Sequence, residues 1–322
     1  MTMRLCRFEQ QGKDSVGFFG DTHVIPLEAA ARLHAAQTRQ ELGLPPGDDL
    51  LPFLPRGFAH PAAWSLSGWL DRQPADQTDS IRISLSDIKL LLPFPRPNKL
   101  FLLAGNYADH IREGGGVAAE RSETFPYVFM KPPTTTLTHP GDPMCIPSVS
   151  PNAIDWELEL AVVMARRCRH VSESEALSMV AGYTIVNDIS DRKFRPNPQR
   201  RQRPKDEFFD WLHGKWHDSF CPCGPCVTSA DTIPDPQQLT LQLRLNGELR
   251  QDSSTANQVF PVAAVIAFIS SFVTLEPGDI ISTGTPAGVG NTTGTYLKPG
   301  DRLEGTISQI GTLVTPVVTE PS

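Results

Sequence analysis

The stretch DWELELAVV, residues 155–163, alternates Asp155, Glu157 and Glu159 with Trp156, Leu158 and Leu160. Side chains two apart on a β-strand share a face. The spacing therefore predicts a strand with three carboxylates on one face and apolar groups on the other, running through Leu160, Ala161, Val162 and Val163 into a buried interior. The competing reading of the acidic side is a solvated polar face. Asp155, at the mouth of the strand, reads as solvated. In AGYTIVNDISDR, residues 183–186 form a second strand with Asp188 at its end. If the two strands pair, Glu157, Glu159 and Asp188 converge. Converging carboxylates repel, and one is forced neutral unless a cation is present. An all-oxygen set suits Mg²⁺ or Mn²⁺ rather than zinc.

Working outward, the chain of 322 residues is 39% hydrophobic and 20% charged, with a formal net charge of −7. That composition suits a globular protein and disfavours nucleic acid or an anionic membrane as the main partner, since both call for a basic surface. MTMRLCRFEQQGKD has no apolar core of signal length, so a cytoplasmic protein with reduced thiols is expected. The longest apolar run, residues 259–273, is short for a membrane span and reads as a buried helix opened by Pro261. Residues 1–92 read as a small N-terminal α/β domain: short strands, the helix-like LEAAARLHAAQTRQEL, then Pro-rich connections. Residues 93–322 read as many short strands between turns, including an Asn246-Gly247 hairpin, with few helices. The fold class expected is α+β, mainly β.

Five further groupings carry possible chemistry. In GNYADHIREGG, His110 and Glu113 fall on one helical turn, which by itself reads as an exposed His-Glu pair, or as a dyad in which the carboxylate fixes the imidazole's tautomer and raises its basicity. Gly114, Gly115 and Gly116 then end the turn and let it move as a lid. Lys215, beside Gly214 and Trp216, reads by itself as an ordinary surface lysine, the alternative being a partly desolvated ammonium suited to an oxyanion. STGTPAGVG, residues 282–290, lets backbone approach a ligand closely and is not a phosphate loop. Cys221, Cys223 and Cys226 in CPCGPC offer three thiolates, with His217 the nearest fourth zinc ligand; buried reduced thiols are the favoured reading. The basic run RPNPQRRQRPKDE, residues 195–207, reads as a solvated loop, or as a rim that attracts an anion.

NYADHIRE, FMKPPTT, WELELAVV, GYTIVNDIS, GKWHDSFCPCGP, NGELRQ and GDIISTGTPAGVG occur together and in this order. The combination resembles the fumarylacetoacetate hydrolase family over residues 95–318. The resemblance implies a mixed β-roll, a homodimer, and Mg²⁺ or Mn²⁺ held by Glu157, Glu159 and Asp188. It also implies a lid dyad of His110 and Glu113, an active-site Lys215, and substrate contacts from Arg192, Gly284 and Thr285. Three departures from the family pattern stand out. Leu103 occupies the place of a fourth metal carboxylate, Asp191-Arg192-Lys193 replaces Ala-Arg-Asp, and CPCGPC replaces Cys-Pro-Leu-Gly-Pro.

The implied activity is hydrolysis of a C–C bond in a 2,4-dioxo acid, with the cation stabilising the enolate left behind. His110 would activate water and Lys215 would steady an oxyanion or protonate the leaving carbon. Decarboxylase, isomerase and lyase chemistry on a 2-oxo acid share the same metal logic. A reading of a different class is a non-catalytic zinc-binding interaction protein built on the cysteines.

Overall fold

The computed structural model describes residues 2–118 and 121–321. Strands β1 (Arg4–Gln10) and β2 (Lys13–Phe19) meet at Gln11-Gly12, and β3 (His23–Pro26) follows. Helices α1 (Leu27–Thr38) and α2 (His60–Leu70) come next, burying Leu27, Ala30, Ala63 and Leu66. The chain then supplies β4 (Leu100–Ala104), α3 (Ala108–Glu113), β5 (Tyr127–Met130), β6 (Leu158–Met164), β7 (Val180–Asn187), α4 (Asp206–His213) and β8 (Cys221–Ser229). Strands β9 (Thr240–Leu245) and β10 (Glu248–Ser254) turn at Asn246-Gly247, with φ values of 53° and 84°, the left-handed pair an Asn-Gly hairpin adopts. Helix α5 (Val262–Phe272) follows Pro261, and β11 (Ile280–Ser282), β12 (Arg302–Ile307) and β13 (Gly311–Thr319) complete the fold.

Two sheets organise these elements. The larger has 12 strands, and its main path beyond the edge strand Ile83–Ser84 runs β3–β2–β1–β8–β7–β6–β11–β4–β5. The smaller, of five strands, runs β10–β9–β12–β13 and ends on Met144–Ile146. Strand β6 lies inside the larger sheet, antiparallel to β7 from Leu158↔Asn187 to Val163↔Gly182 and antiparallel to β11. Its Leu158, Leu160 and Val162 share an apolar cluster with Leu241, Leu243, Leu303 and Leu313 of the smaller sheet. Ala161 and Val163 face the other way, into the core that holds Leu27, Ala63 and Leu66. Burying each leucine contributes roughly 1.5–3 kcal/mol, so the strand that leads into the carboxylates is anchored on both faces. The fold is the mainly-β mixture with few helices expected from the sequence.

Strands of the first 92 residues extend this same sheet, because β1 runs antiparallel to β8 through Arg4↔Thr228 and Leu5↔Val227. Cys221, Cys223 and Cys226 are fully buried on β8. Residues of opposite parity leave a strand on opposite sides. Cys221 and Cys223 accordingly join the core of α1 and α2, while Cys226 joins the core between the sheets. The three thiols do not converge on an ion, which corrects the zinc-site alternative. Among the described residues no helix is long and apolar enough to cross a membrane.

Candidate metal and catalytic site

The acidic run is not one unbroken strand. Ile154–Asp155 pairs with Ser190–Asp191, and the main-sheet strand begins only at Leu158. Between them, Glu157 N–H donates to Asn187 Oδ1 at 2.9 Å and its carbonyl accepts from Asp188 N–H at 2.8 Å. That pair of bonds fixes Glu157 beside Asp188, at the point where β7 ends.

Glu157, Glu159 and Asp188 are buried, and each offers a carboxylate oxygen within 4.8 Å of the others. Glu159 Oε2 accepts from Ser282 Oγ at 2.6 Å and from Gly284 N–H at 2.8 Å, while Oε1 has no hydrogen-bond partner. Asp188 Oδ2 accepts from Lys215 Nζ at 2.6 Å. Its Oδ1 lies 2.5 Å from Lys131 Nζ but without hydrogen-bond alignment. Glu157 Oε2 accepts from Lys215 Nζ at 2.8 Å and Oε1 from Arg192 Nη2 at 2.5 Å.

These surroundings split the carboxylates electrically. Burial, then the charges of Asp188 and Glu157, push Glu159 well above the usual carboxylate range. Burial acts the same way on Glu157, but Lys215, Arg192 and His110 outweigh it and hold Glu157 well below that range. Lys215 is raised: burial alone would lower it, and Asp188 and Glu157 reverse the sign. An all-oxygen cluster with mutual repulsion and an orphaned buried Oε1 fits a divalent cation, whose charge would relieve the repulsion.

Two residues here escaped the sequence reading. Lys131, from FMKPPTT, is fully buried, and besides lying against Asp188 it donates to the carbonyls of Ile189 at 2.9 Å and Phe220 at 2.5 Å. Asp155 is also fully buried, which corrects its expected solvation. Its Oδ2 accepts from Arg192 Nε at 2.8 Å and Asn291 N–H at 3.1 Å, and its Oδ1 from Trp156 N–H at 2.9 Å and Gly290 N–H at 2.7 Å. Four donors replace the water that the sequence reading supplied. Arg192 is thus forked onto Asp155 and Glu157 at the edge of the cluster.

Lys215 is buried, which overturns the reading as a surface lysine, and the rings nearest its ammonium are Phe129 at 5.4 Å and Trp211 at 5.9 Å rather than Trp216. Gly284, at φ +87°, is packed so closely that a Cβ would lie 2.8 Å from Asn106 Cβ. Thr285 Oγ1 donates to the Leu158 carbonyl at 3.0 Å and accepts from Gln251 Nε2 at 2.8 Å. The loop therefore braces Glu159 and its strand. Leu103 packs in the apolar core. In the basic run, Arg200 and Arg203 each reach Asp206 at 3.0 Å, tying that loop to α4.

On the open side stands α3. Its His110 Nδ1 lies 2.8 Å from Glu113 Oε1, and both side chains are about one-fifth exposed. An ionised carboxylate only accepts, so Nδ1 carries the proton of this bond, which in the neutral ring leaves Nε2 as the basic nitrogen. Glu113 Oε2 accepts from Gly288 N–H at 2.9 Å. Helix α3 ends at Glu113, and Gly115 follows at φ +79°.

Residues 99–318 match the model of the fumarylacetoacetate (FAA) hydrolase C-terminal domain. An oxaloacetate tautomerase of Bacillus subtilis (strain 168) is 39% identical over 78% of this chain and 80% of its own. A 2,4-didehydro-3-deoxy-L-rhamnonate hydrolase of Sphingomonas sp. (strain SKA58) is 40% identical over 69% of this chain and 73% of its own. The crystal structure of maleylpyruvate hydrolase from Sphingobium sp. SYK-6, in complex with manganese(II) and pyruvate, superposes with a TM-score of 0.70. It is 28% identical and covers 99% of this chain and 100% of its own.

Proposed function

The chain belongs to the fumarylacetoacetate hydrolase family, and from that premise we propose a Mg²⁺- or Mn²⁺-dependent hydrolase that cleaves a C–C bond in a 2,4-dioxo acid. The observation that carries this reading is the meeting of three buried carboxylates, with Glu159 Oε1 and Asp188 Oδ1 lacking hydrogen-bond partners, and a largely buried His-Glu dyad beside them. Glu157, Glu159 and Asp188 would hold the cation. When bound, it supplies a positive charge that polarises a chelating 2-oxo carboxylate and lowers the cost of negative charge on its 2-oxo oxygen.

The remaining steps belong to the chain's own groups. Glu113 holds Nδ1–H, so His110 Nε2 takes the proton from a water aimed at the distal carbonyl. Lys215, kept charged by Glu157 and Asp188, steadies the developing oxyanion or returns a proton to the released carbon. Arg192, Gly284 and Thr285 form the wall against which the acid lies. The exposed Phe125, Tyr127 and Phe272, near the open edge at β5, support a homodimer, and a cytoplasmic setting belongs to the same proposal.

The relatives named as oxaloacetate tautomerases favour a second reading, keto–enol interconversion of oxaloacetate at the same cation. A two-substrate assay with Mg²⁺ and Mn²⁺ separates the two. Pyruvate release from acetylpyruvate supports hydrolysis. Accelerated decay of the oxaloacetate enol absorbance without C–C cleavage supports tautomerisation, and neither reaction with either metal overturns both.

A further inference from the structure

The lid rests on a backbone segment that is itself built on the metal-bearing run. Gly288 presents its N–H to Glu113 and its carbonyl to Trp156 Nε1–H, at 2.9 and 3.1 Å. Two residues on, Gly290 N–H and Asn291 N–H close onto the two oxygens of Asp155. The fit leaves no room for side chains. A Cβ on Gly288 would lie 2.1 Å from the Arg250 carbonyl, and one on Gly290 would lie 2.8 Å from both Asp155 Oδ1 and the Trp156 ring. Asp155 and Trp156 immediately precede Glu157. One short stretch of chain therefore holds a cation ligand with one residue and the landing point of the lid with the two before it.

We propose that Asp155 and Trp156 are positioning residues for the base. They hold residues 288–291 where the Gly288 amide meets Glu113, and so set the plane of the carboxylate that orients His110. Neither touches the reacting atoms. A carboxylate tied through one oxygen alone swings about that bond, whereas one tied through both Oε1 and Oε2 is fixed. The Trp156–Gly288 bond supplies the rigid end. This rests on the reading of His110 as the base.

Trp156→Phe keeps the ring's apolar body and removes only the N–H and some volume. With Mn²⁺ and acetylpyruvate, kcat is expected to fall about tenfold with KM within about twofold, as misorientation of a base predicts. In a His110→Ala background the same change should cost nothing further. Equal loss in both backgrounds would show a general structural effect and overturn the proposal. His110→Ala turnover equal to that of the parent would instead remove the base assignment, and this proposal with it. Hydrogen exchange needs no substrate. Residues 107–114 should exchange faster in Trp156→Phe while 158–164 keep their protection; unchanged exchange in 107–114 overturns the proposal. If the Phe variant does not fold, Asp155→Asn, which puts an amide N–H against Asn291 N–H or Arg192, is read by the same exchange experiment with the same two outcomes.

Discussion

Glu159 sits on a strand hydrogen-bonded on both sides within a 12-stranded sheet, and two donors fix one of its oxygens. His110 sits on a helix of six residues followed by three glycines, and its ring is held by one carboxylate. The two supports match two demands. The proposed cation ligands would have to keep their spacing closely, which paired backbone allows. The proposed base would have to let substrate pass, which an element with few contacts allows. Gly288 joins the two regions by bridging Glu113 and Trp156.

The comparison breaks most severely if the cluster is not the cation site. Glu159→Gln should lower divalent-cation affinity by more than about 100-fold and abolish turnover, while size-exclusion and circular dichroism stay unchanged. Titration calorimetry with Mn²⁺ checks this. Undiminished Mn²⁺ binding would leave the sheet's rigidity without a purpose.

Next in size, His110→Ala should cost hydrolysis roughly 10²–10⁴-fold while leaving Mn²⁺ affinity unaltered. Turnover that needs only polarisation of a 2-oxo acid, such as oxaloacetate decarboxylation, should survive better. Loss of metal affinity in this variant would erase the division between the two regions.

Lys131→Met tests the buried side alone. Removing one cation from a buried ion pair typically costs about 3–5 kcal/mol. The variant should therefore melt at a markedly lower temperature, and added Mn²⁺ should recover part of the loss by compensating Asp188. A melting curve with and without the metal reads both effects. The smallest effect concerns the cysteines. Burial pushes the Cys223 and Cys226 thiols up to about 12, so at pH 8 neither is a thiolate. The native protein should leave both unlabelled by a thiol reagent, with Cys145, only partly buried, the first to react.

The site was partly legible because its chemistry is local. The period-two alternation over 158–163 and the three-residue spacing of His110 and Glu113 both follow from backbone geometry and both are seen, while the strand expected from 155 breaks before Leu158. Asp155 was misread for the opposite reason. Its partners Arg192, Gly290 and Asn291 lie far along the chain, and nothing near residue 155 signals them. Lys131 left a fainter trace, a lysine placed directly after the short strand of FMKPPTT, but its burial depends on the carbonyls of Ile189 and Phe220. The continuity of the N-terminal strands with the main sheet was equally hidden, since a pairing such as Leu5↔Val227 has no local signature.

That pairing bears on how the protein can be handled. The family match begins at residue 99, well past β1. A shortened version starting there would keep every residue proposed for the chemistry, yet it would strip the cover from Val227 and Thr228 and open a fresh sheet edge. Exposed edges of this kind recruit strands from other molecules and drive aggregation. For soluble expression, or for grafting the catalytic half into another protein, whatever replaces the first 92 residues has to bring a strand of its own.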